Sequence, residues 1–189
     1  MDLDDLAAIS EWFWDFEDVA LFDRSFPVPV NAKVLRESWR QALEFADPPR
    51  AVWFVAEDAE QRIKGAGGIQ AINYIHGDAI LPMFVARDTR DKGLGTAMSV
   101  SLIDLGFDQL GLHRLTTYYR EDNKRTHKAL AKLGFREEGR IREGWLANGT
   151  RMDVVQVGLL KSEWSGARGG LLEDLSASGL VMRNTPRKL

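Results

Sequence analysis

The segment Arg90-Asp91-Lys92-Gly93-Leu94-Gly95-Thr96 joins an apolar stretch, residues 79–86, to an amphipathic stretch, residues 97–110. The first stretch has the composition of a buried strand, and apolar residues recur at helical spacing in the second. Pro82 is unusual inside a strand, because proline donates no hydrogen bond to a sheet and occurs mainly at edges and bulges. The segment is therefore predicted to be the turn between an irregular strand and a helix.

The glycines of this turn give it the character of an anion site. Gly93 and Gly95 leave backbone N–H groups uncovered by side chains. Such groups at the start of a helix bind anions, and the helix dipole strengthens the attraction. Arg90 and Lys92 add positive charge, so a pyrophosphate is a suitable ligand. The loop is not a P-loop, and Met98 replaces the third glycine of GxGxxG. Alone, it is also compatible with an ordinary strand–helix turn.

Hydrophobic periodicity predicts two helices, three strands, a helix, a strand, a helix and a β-hairpin along the chain. The tight turn of the hairpin is expected at Asn148-Gly149. In order, the elements are predicted over residues 3–20, 34–45, 51–56, 65–75, 79–86, 97–110, 115–119, 123–133, 139–146 and 151–160. This order favours a mixed α/β domain built on one central sheet.

A second segment lies downstream of the glycine turn. It begins at Asn123, includes Lys132-Leu133-Gly134-Phe135 and ends at Gly139. Together with the RxxGxG spacing of residues 90–95, it resembles the GNAT superfamily of acetyltransferases, whose second signature reads NxxS…KLGFxxEG. The strand before the glycine turn and the helix after it are the context in which that family carries the motif.

The hairpin that follows adds a third point of resemblance. It runs from Arg142 through Asn148-Gly149 and Asp153 to Glu163-Trp164. This ending is similar to that of the ribosomal-protein-alanine branch of the superfamily, also called RimJ/RimL-like. The resemblance is specific over roughly residues 53–164 and weaker before them.

The resemblance implies the GNAT fold, in which a bulged strand splays away from its neighbour in a mostly antiparallel sheet flanked by helices. It implies acetyl-CoA as the co-substrate, with the pantetheine arm in the gap beside the bulged strand. Asn123 matches an asparagine that contacts this arm, although it also suits a helix N-cap. The implied cofactor-binding residues are Phe84, Val85, Ala86, Arg90, Lys92, Gly93, Leu94, Gly95, Thr96 and Asn123.

The implied chemistry is direct attack of a primary amine on the thioester in a ternary complex. The backbone N–H of Val85 is the implied donor to the developing oxyanion. Many family members carry a tyrosine seven residues after the asparagine, but Leu130 occupies that position and cannot donate. The RimL-like branch has a serine three residues on, where Thr126 keeps a hydroxyl. Thr126 is therefore predicted to protonate the leaving thiolate; a surface threonine is the alternative.

A general base is not evident from the sequence. His76 is one candidate, although a lone histidine in a strand is often structural; the others near strand ends are Asp78, Tyr118, Tyr119 and Glu121. A catalytically inactive CoA-binding regulatory or scaffold protein is therefore the alternative function. The amine acceptor, a protein N-terminus or a small molecule, is also open. An N-terminal aromatic group either forms core or walls the acceptor site: Trp12, Phe13, Trp14, Phe16 and Phe22.

Composition and charge limit the classes of protein to which the chain can belong. The chain has no cysteine, which excludes thiolate metal sites, and its three histidines lack metal-ligand spacing, so no metal is expected. The net charge of −3 does not favour nucleic acid as a partner; it suits a basic substrate or simply solubility. The acidic N-terminus does not resemble a signal peptide, and no apolar run is long enough for a membrane span. We expect a cytoplasmic location, with a homodimer left open.

The C-terminal region differs from the rest. The family normally opens with a strand before the first helix, for which there is no room ahead of Asp4-Asp5-Leu6, whereas residues 179–186 resemble that strand. We expect a domain over residues 1–164 and an extension over 165–189, with a circular permutation that supplies the first strand from residues 179–186, in cis or swapped. The glycines of residues 165–170 form the expected connector. A disordered tail is the alternative.

Overall fold

The computed structural model describes residues 1–18, 31–44 and 46–177. The expected strand over 179–186, and Phe22, lie outside the described residues. The helices are α1 (Asp5–Ile9), α2 (Ala32–Trp39), α3 (Leu94–Asp104), α4 (Lys124–Lys132) and α5 (Lys161–Ala177). The strands are β1 (Ala51–Glu57), β2 (Ile63–Asn73), β3 (Asp78–Ile80), β4 (Met83–Val85), β5 (Arg114–Arg120), β6 (Arg136–Ala147) and β7 (Thr150–Leu160).

The strands form one seven-stranded sheet in the order β1-β2-β3-β5-β7-β6, with β4 paired to β2. The pairing is antiparallel except between β3 and β5, which run parallel. The predicted mixed α/β fold with a mostly antiparallel sheet is confirmed. Within the described ranges, every helix is too short or too polar to cross a bilayer.

The predicted strand over 79–86 is broken at Pro82. Its first part, β3, pairs with both β2 and β5, and Leu81 still donates to the carbonyl of Thr116 at 2.9 Å. Its second part, β4, pairs with β2 alone in the described part of the chain. Because Pro82 has no N–H to continue the ladder, β4 and β5 separate and leave a gap between them.

Hydrogen bonds on the β2 side show which backbone groups face the gap. Gly68 donates to the carbonyl of Pro82 at 3.1 Å, and Ala86 donates to that of Lys64 at 3.0 Å. Antiparallel pairing turns alternate residues toward the partner, so the N–H and C=O of Phe84 also point to β2. Those of Met83 and Val85 point the other way, toward β5.

Helices cover both faces of the sheet. On one face α3, α4 and α5 pack on a core that includes Ile69, Leu115 and Leu159, each fully buried. On the other face α1 and α2 pack against a smaller core built around Trp53 and Phe84. Successive side chains along each strand therefore belong to different cores. This alternation determines on which face of the sheet each strand residue lies.

Besides the broken strand, the N-terminal helix and the expected connector differ most from their predictions. The helix predicted over 3–20 is shorter: α1 ends at Ile9 and a 3₁₀ turn follows over Ser10–Phe13. The flexible connector expected at 165–170 is instead part of α5. Trp164 and Leu171 on that helix are buried in the core, and the Arg168 guanidinium pairs with Asp104 at 2.8 Å. These contacts hold the glycines in a helix despite their low propensity.

We expect Gly68→Ala to destabilise the fold, because a Cβ there would lie 2.5 Å from the carbonyl oxygen of Val52 and 2.6 Å from the Trp53 ring. Forced overpacking of this kind costs about 1–3 kcal/mol of unfolding free energy. Gly139→Ala is the matched control, since a Cβ there meets nothing within 4 Å. Urea unfolding of both variants measures the difference; equal stabilities would contradict the packing described.

Candidate active site

The predicted turn at residues 90–96 joins β4 to α3 as expected. Gly93 precedes the helix with a φ of 83°, a left-handed conformation that side chains other than glycine rarely adopt. Its carbonyl accepts the first helical bond, from Ala97, at 3.0 Å. The N–H groups of the first turn after Gly93 have no carbonyl within the helix to bind. The turn therefore presents backbone donors at the positive end of the helix dipole.

A cavity of about 850 Å³ begins at this turn, passes through the gap between β4 and β5, and reaches α2. It is lined from both faces of the sheet. The residues on the α3 and α4 side include Val85, Arg90, Gly93, Gly95, Thr96, Asn123 and Thr126. The residues on the α2 side include Ser38, Trp39, Trp53, Gln70, Tyr118 and Trp145.

Most of the residues implied by the resemblance meet at this cavity. Phe84 lines it as well, although its backbone groups are turned toward β2. Ala86, Lys92 and Leu94 lie next to the lining residues but do not themselves line it. The Lys92 ammonium donates to the carbonyl of Asp88 at 2.8 Å.

Of the candidate bases, Tyr118 and Tyr119 line the cavity, whereas His76, Asp78 and Glu121 do not. His76 is exposed in the turn between β2 and β3, at the opposite end of the broken strand from Val85. The Glu121 carboxylate accepts from the backbone N–H of Asp153 at 2.9 Å, and neither Glu121 nor Asp78 lines the cavity.

Asn123 and Thr126 stand together at the start of α4. The Asn123 side-chain oxygen accepts from the N–H of Thr126 at 3.1 Å, so the N-cap role expected for Asn123 is confirmed. Both side chains line the cavity across from β4. The cap fixes the first turn of α4, in which Thr126 lines the cavity.

Tyr119 lines the same wall. Burial raises the pKa of its hydroxyl above the ordinary value, and the charge of Glu137 adds to the rise. The hydroxyl therefore stays protonated near neutral pH. It lies 2.7 Å from Nδ1 of His127, and the imidazole tautomer decides which of the two groups donates in this hydrogen bond. A protonated phenol is a donor, so Tyr119 is not suited to the role of general base that the sequence left open.

Arg90 has a partner that sequence patterns did not reveal. Its Nη1 lies 2.8 Å from Asp18, and its Nε donates to the carbonyl of Val85 at 3.1 Å. Asp18 also meets Nε of Arg87 at 3.2 Å, and the Asp18 and Arg90 side chains are 7% and 13% exposed. Since Asp18 is distant in sequence and belongs to no motif, only the folded chain shows this link. It ties the segment after α1 to the residue whose N–H faces the gap.

Known protein families and related sequences agree with this geometry. Residues 1–136 match the acetyltransferase (GNAT) domain family. The chain belongs to that family. The spermidine N(1)-acetyltransferase of Vibrio cholerae is 30% identical over 111 residues, which cover 59% of this chain and 64% of that protein. A putative ribosomal N-acetyltransferase of Bacillus subtilis, YdaF, is 30% identical over 104 residues, covering 55% and 57%. The chain thus matches less than two thirds of the length of these curated relatives.

Solved structures show the same fold. The spermidine N-acetyltransferase from Vibrio cholerae in complex with CoA and spermine superposes with a TM-score of 0.76. The superposition covers 87% of this chain and 95% of that one, at 24% sequence identity. This likeness confirms the GNAT fold.

We expect Gly93→Val to weaken CoA binding by about 100-fold or more, equivalent to ~2.7 kcal/mol, because it strains the left-handed turn and covers its backbone donors. Gly111→Val is the matched control. Gly111 also has a positive φ, 66°, but a Cβ there meets nothing within 4 Å and the residue does not line the cavity. Calorimetric titration with CoA and thermal unfolding measure both variants. Equal CoA affinity in the two would contradict an anion-binding role for the turn.

Proposed function

We propose that the protein is an acetyl-CoA-dependent N-acetyltransferase that acetylates a primary amine by direct attack in a ternary complex. The observation that carries the proposal is the position of Val85: its backbone N–H points into the gap between β4 and β5, beside a helix N-terminus rich in backbone donors. A pyrophosphate at the turn and a pantetheine arm in the gap would bring the thioester to this N–H. The residue pattern of 142–164 keeps the RimJ/RimL-like branch as our assignment within the family, while the acceptor stays open between a protein N-terminus and a small molecule.

The cavity fits this co-substrate in its chemistry. The turn at Gly93 and Gly95 offers N–H donors for phosphate oxygens, and Asn123 lines the path between the turn and the gap. We assign the implied binding segments, residues 84–86 and 92–96 with Arg90 and Asn123, to the CoA side of the cavity. Arg90 acts there mainly by holding the Val85 carbonyl rather than by direct contact with phosphate, because Asp18 engages its guanidinium.

The reaction forms one bond and breaks another. The lone pair of a neutral amine attacks the thioester carbonyl, the C–N bond forms and the C–S bond breaks. The N–H of Val85 stabilises the charge that develops on the carbonyl oxygen. Thr126 donates its hydroxyl proton to the leaving sulfur and is reprotonated by the proton that the amine loses, so the products are the N-acetylamine and the CoA thiol with no net change in protons. His76, which lies in an exposed turn, has no step in this scheme.

The test is CoA-thiol release by the purified protein with acetyl-CoA and a panel of primary amines, together with CoA titration. Turnover with at least one amine supports the proposal. Tight CoA binding without turnover on any amine would favour the alternative, a CoA-binding regulatory or scaffold protein. That alternative is considered because Leu130 occupies the position of the usual tyrosine. A protein that neither binds CoA nor releases the CoA thiol with any amine would contradict the proposal.

We expect Thr126→Val to lower kcat by about 100-fold, within the usual range for a positioned proton donor, while the Kd for CoA changes little. Valine keeps the shape of threonine and removes the hydroxyl. Thr126→Ser is the matched control and should retain most of kcat. Steady-state kinetics and CoA titration separate the two effects. A Thr126→Val enzyme with normal kcat would show that another group protonates the thiolate.

A further inference from the structure

The part of the cavity under α2 has its own composition, and we call the residues Trp39, Trp53, Gln70, Tyr118 and Trp145 the acceptor chamber. All five line the cavity. Strand alternation places the chamber on the sheet face opposite α3 and α4. Tyr118 therefore points away from the Tyr119 side of β5.

The chamber is walled by packed aromatic rings. The ring centres of Trp39 and Trp53 lie 4.5 Å apart, and Trp53 stacks on Phe84 at 6.2 Å with an interplanar angle of 5°. Gly68 lies under the Trp53 ring and leaves the space that the indole occupies. Trp39, Trp53 and Trp145 are each at most 7% exposed, so the walls are held in place before any substrate enters.

The polar groups of the chamber carry no charge. Gln70 contributes a neutral amide, Tyr118 contributes a phenol, and the neighbouring Ser38 hydroxyl is engaged with the carbonyl of Leu35 at 2.8 Å. Among the described residues, Asp91 is the one acidic side chain that lines the cavity. It belongs to the glycine turn on the other side and pairs with Arg125 at 2.8 Å.

These surroundings discriminate between amines. A single ammonium group is attracted by the faces of tryptophan and tyrosine rings. Desolvation among these rings lowers the pKa of the amine and favours the neutral form that attacks the thioester. A second or third ammonium would lose its water without gaining a carboxylate partner from the described residues that line the chamber, which is costly. An aromatic or aliphatic body, by contrast, gains from burial against the rings.

We propose that the acceptor is a small primary monoamine with an aromatic or apolar body, rather than a polyamine. The proposal rests on the acetyltransferase function proposed above. It separates this chain from the relatives named for spermidine, and it gives the chamber a part in activating the amine.

The substrate test compares kcat/KM for 2-phenylethylamine, spermidine and a short peptide with a free N-terminal alanine. We expect 2-phenylethylamine to exceed each of the others by at least about tenfold, the ratio set by ~1.4 kcal/mol of differential binding. Preference for spermidine or the peptide would overturn the inference while leaving the N-acetyltransferase function intact. No turnover with any of the three or with a wider amine panel would count against the function itself.

A charge substitution tests the physical cause. Gln70→Glu places a carboxylate in the chamber at nearly constant shape, and we expect it to raise the ratio of kcat/KM for 1,5-diaminopentane over 2-phenylethylamine by about tenfold. Gln109→Glu adds the same charge at an exposed site outside the cavity and should leave the ratio unchanged. Equal ratios for the two variants would contradict control of specificity by the charge of the chamber. Thermal unfolding confirms that both variants fold.

Discussion

The break in backbone pairing at Pro82 is the constraint on which the rest of the site depends. Up to Leu81 the strand is hydrogen-bonded to β5, and beyond Pro82 it keeps β2 as its pairing partner among the described strands. A continuous strand would fill the space between β4 and β5 with its own hydrogen bonds. The separation instead leaves the backbone of Met83 and Val85 turned toward a cavity, in the middle of an otherwise well-packed sheet. The cavity is thus a consequence of topology rather than of surface loops.

Two further features fix the geometry of the cavity around this gap. The left-handed Gly93 sets the direction in which α3 begins, so that its N-terminal donors face the same cavity as Val85. Arg90 joins the Val85 carbonyl to the buried carboxylate of Asp18. Because a largely buried ion pair is costly to break from one side, this link makes the position of β4 depend on the segment that follows α1. The turn that precedes α3 is therefore tied to the segment that follows α1.

Local patterns were sufficient for much of this architecture. The glycine turn, the odd proline and the Asn-Gly hairpin each carry a conformational preference that acts over a few residues, and the structure has all three as predicted. Long-range pairing was not accessible in the same way. No sequence pattern connects Asp18 with Arg90. The residues of the acceptor chamber come from five separate elements: α2, β1, β2, β5 and β6. The glycines after Ser165 indicated a flexible connector, but burial of Trp164 and Leu171 makes that segment helical.

In the proposed reaction, the Val85 N–H donates to the thioester carbonyl in the gap. Amide hydrogen exchange of Val85, measured by NMR with and without a non-hydrolysable acetyl-CoA analogue, tests it most directly. Phe84 is the internal control, because its N–H is already turned to β2. We expect the analogue to slow exchange at Val85 by at least about tenfold, as for a newly bonded amide, with a smaller change at Phe84. Binding of the analogue without protection of Val85 would contradict it.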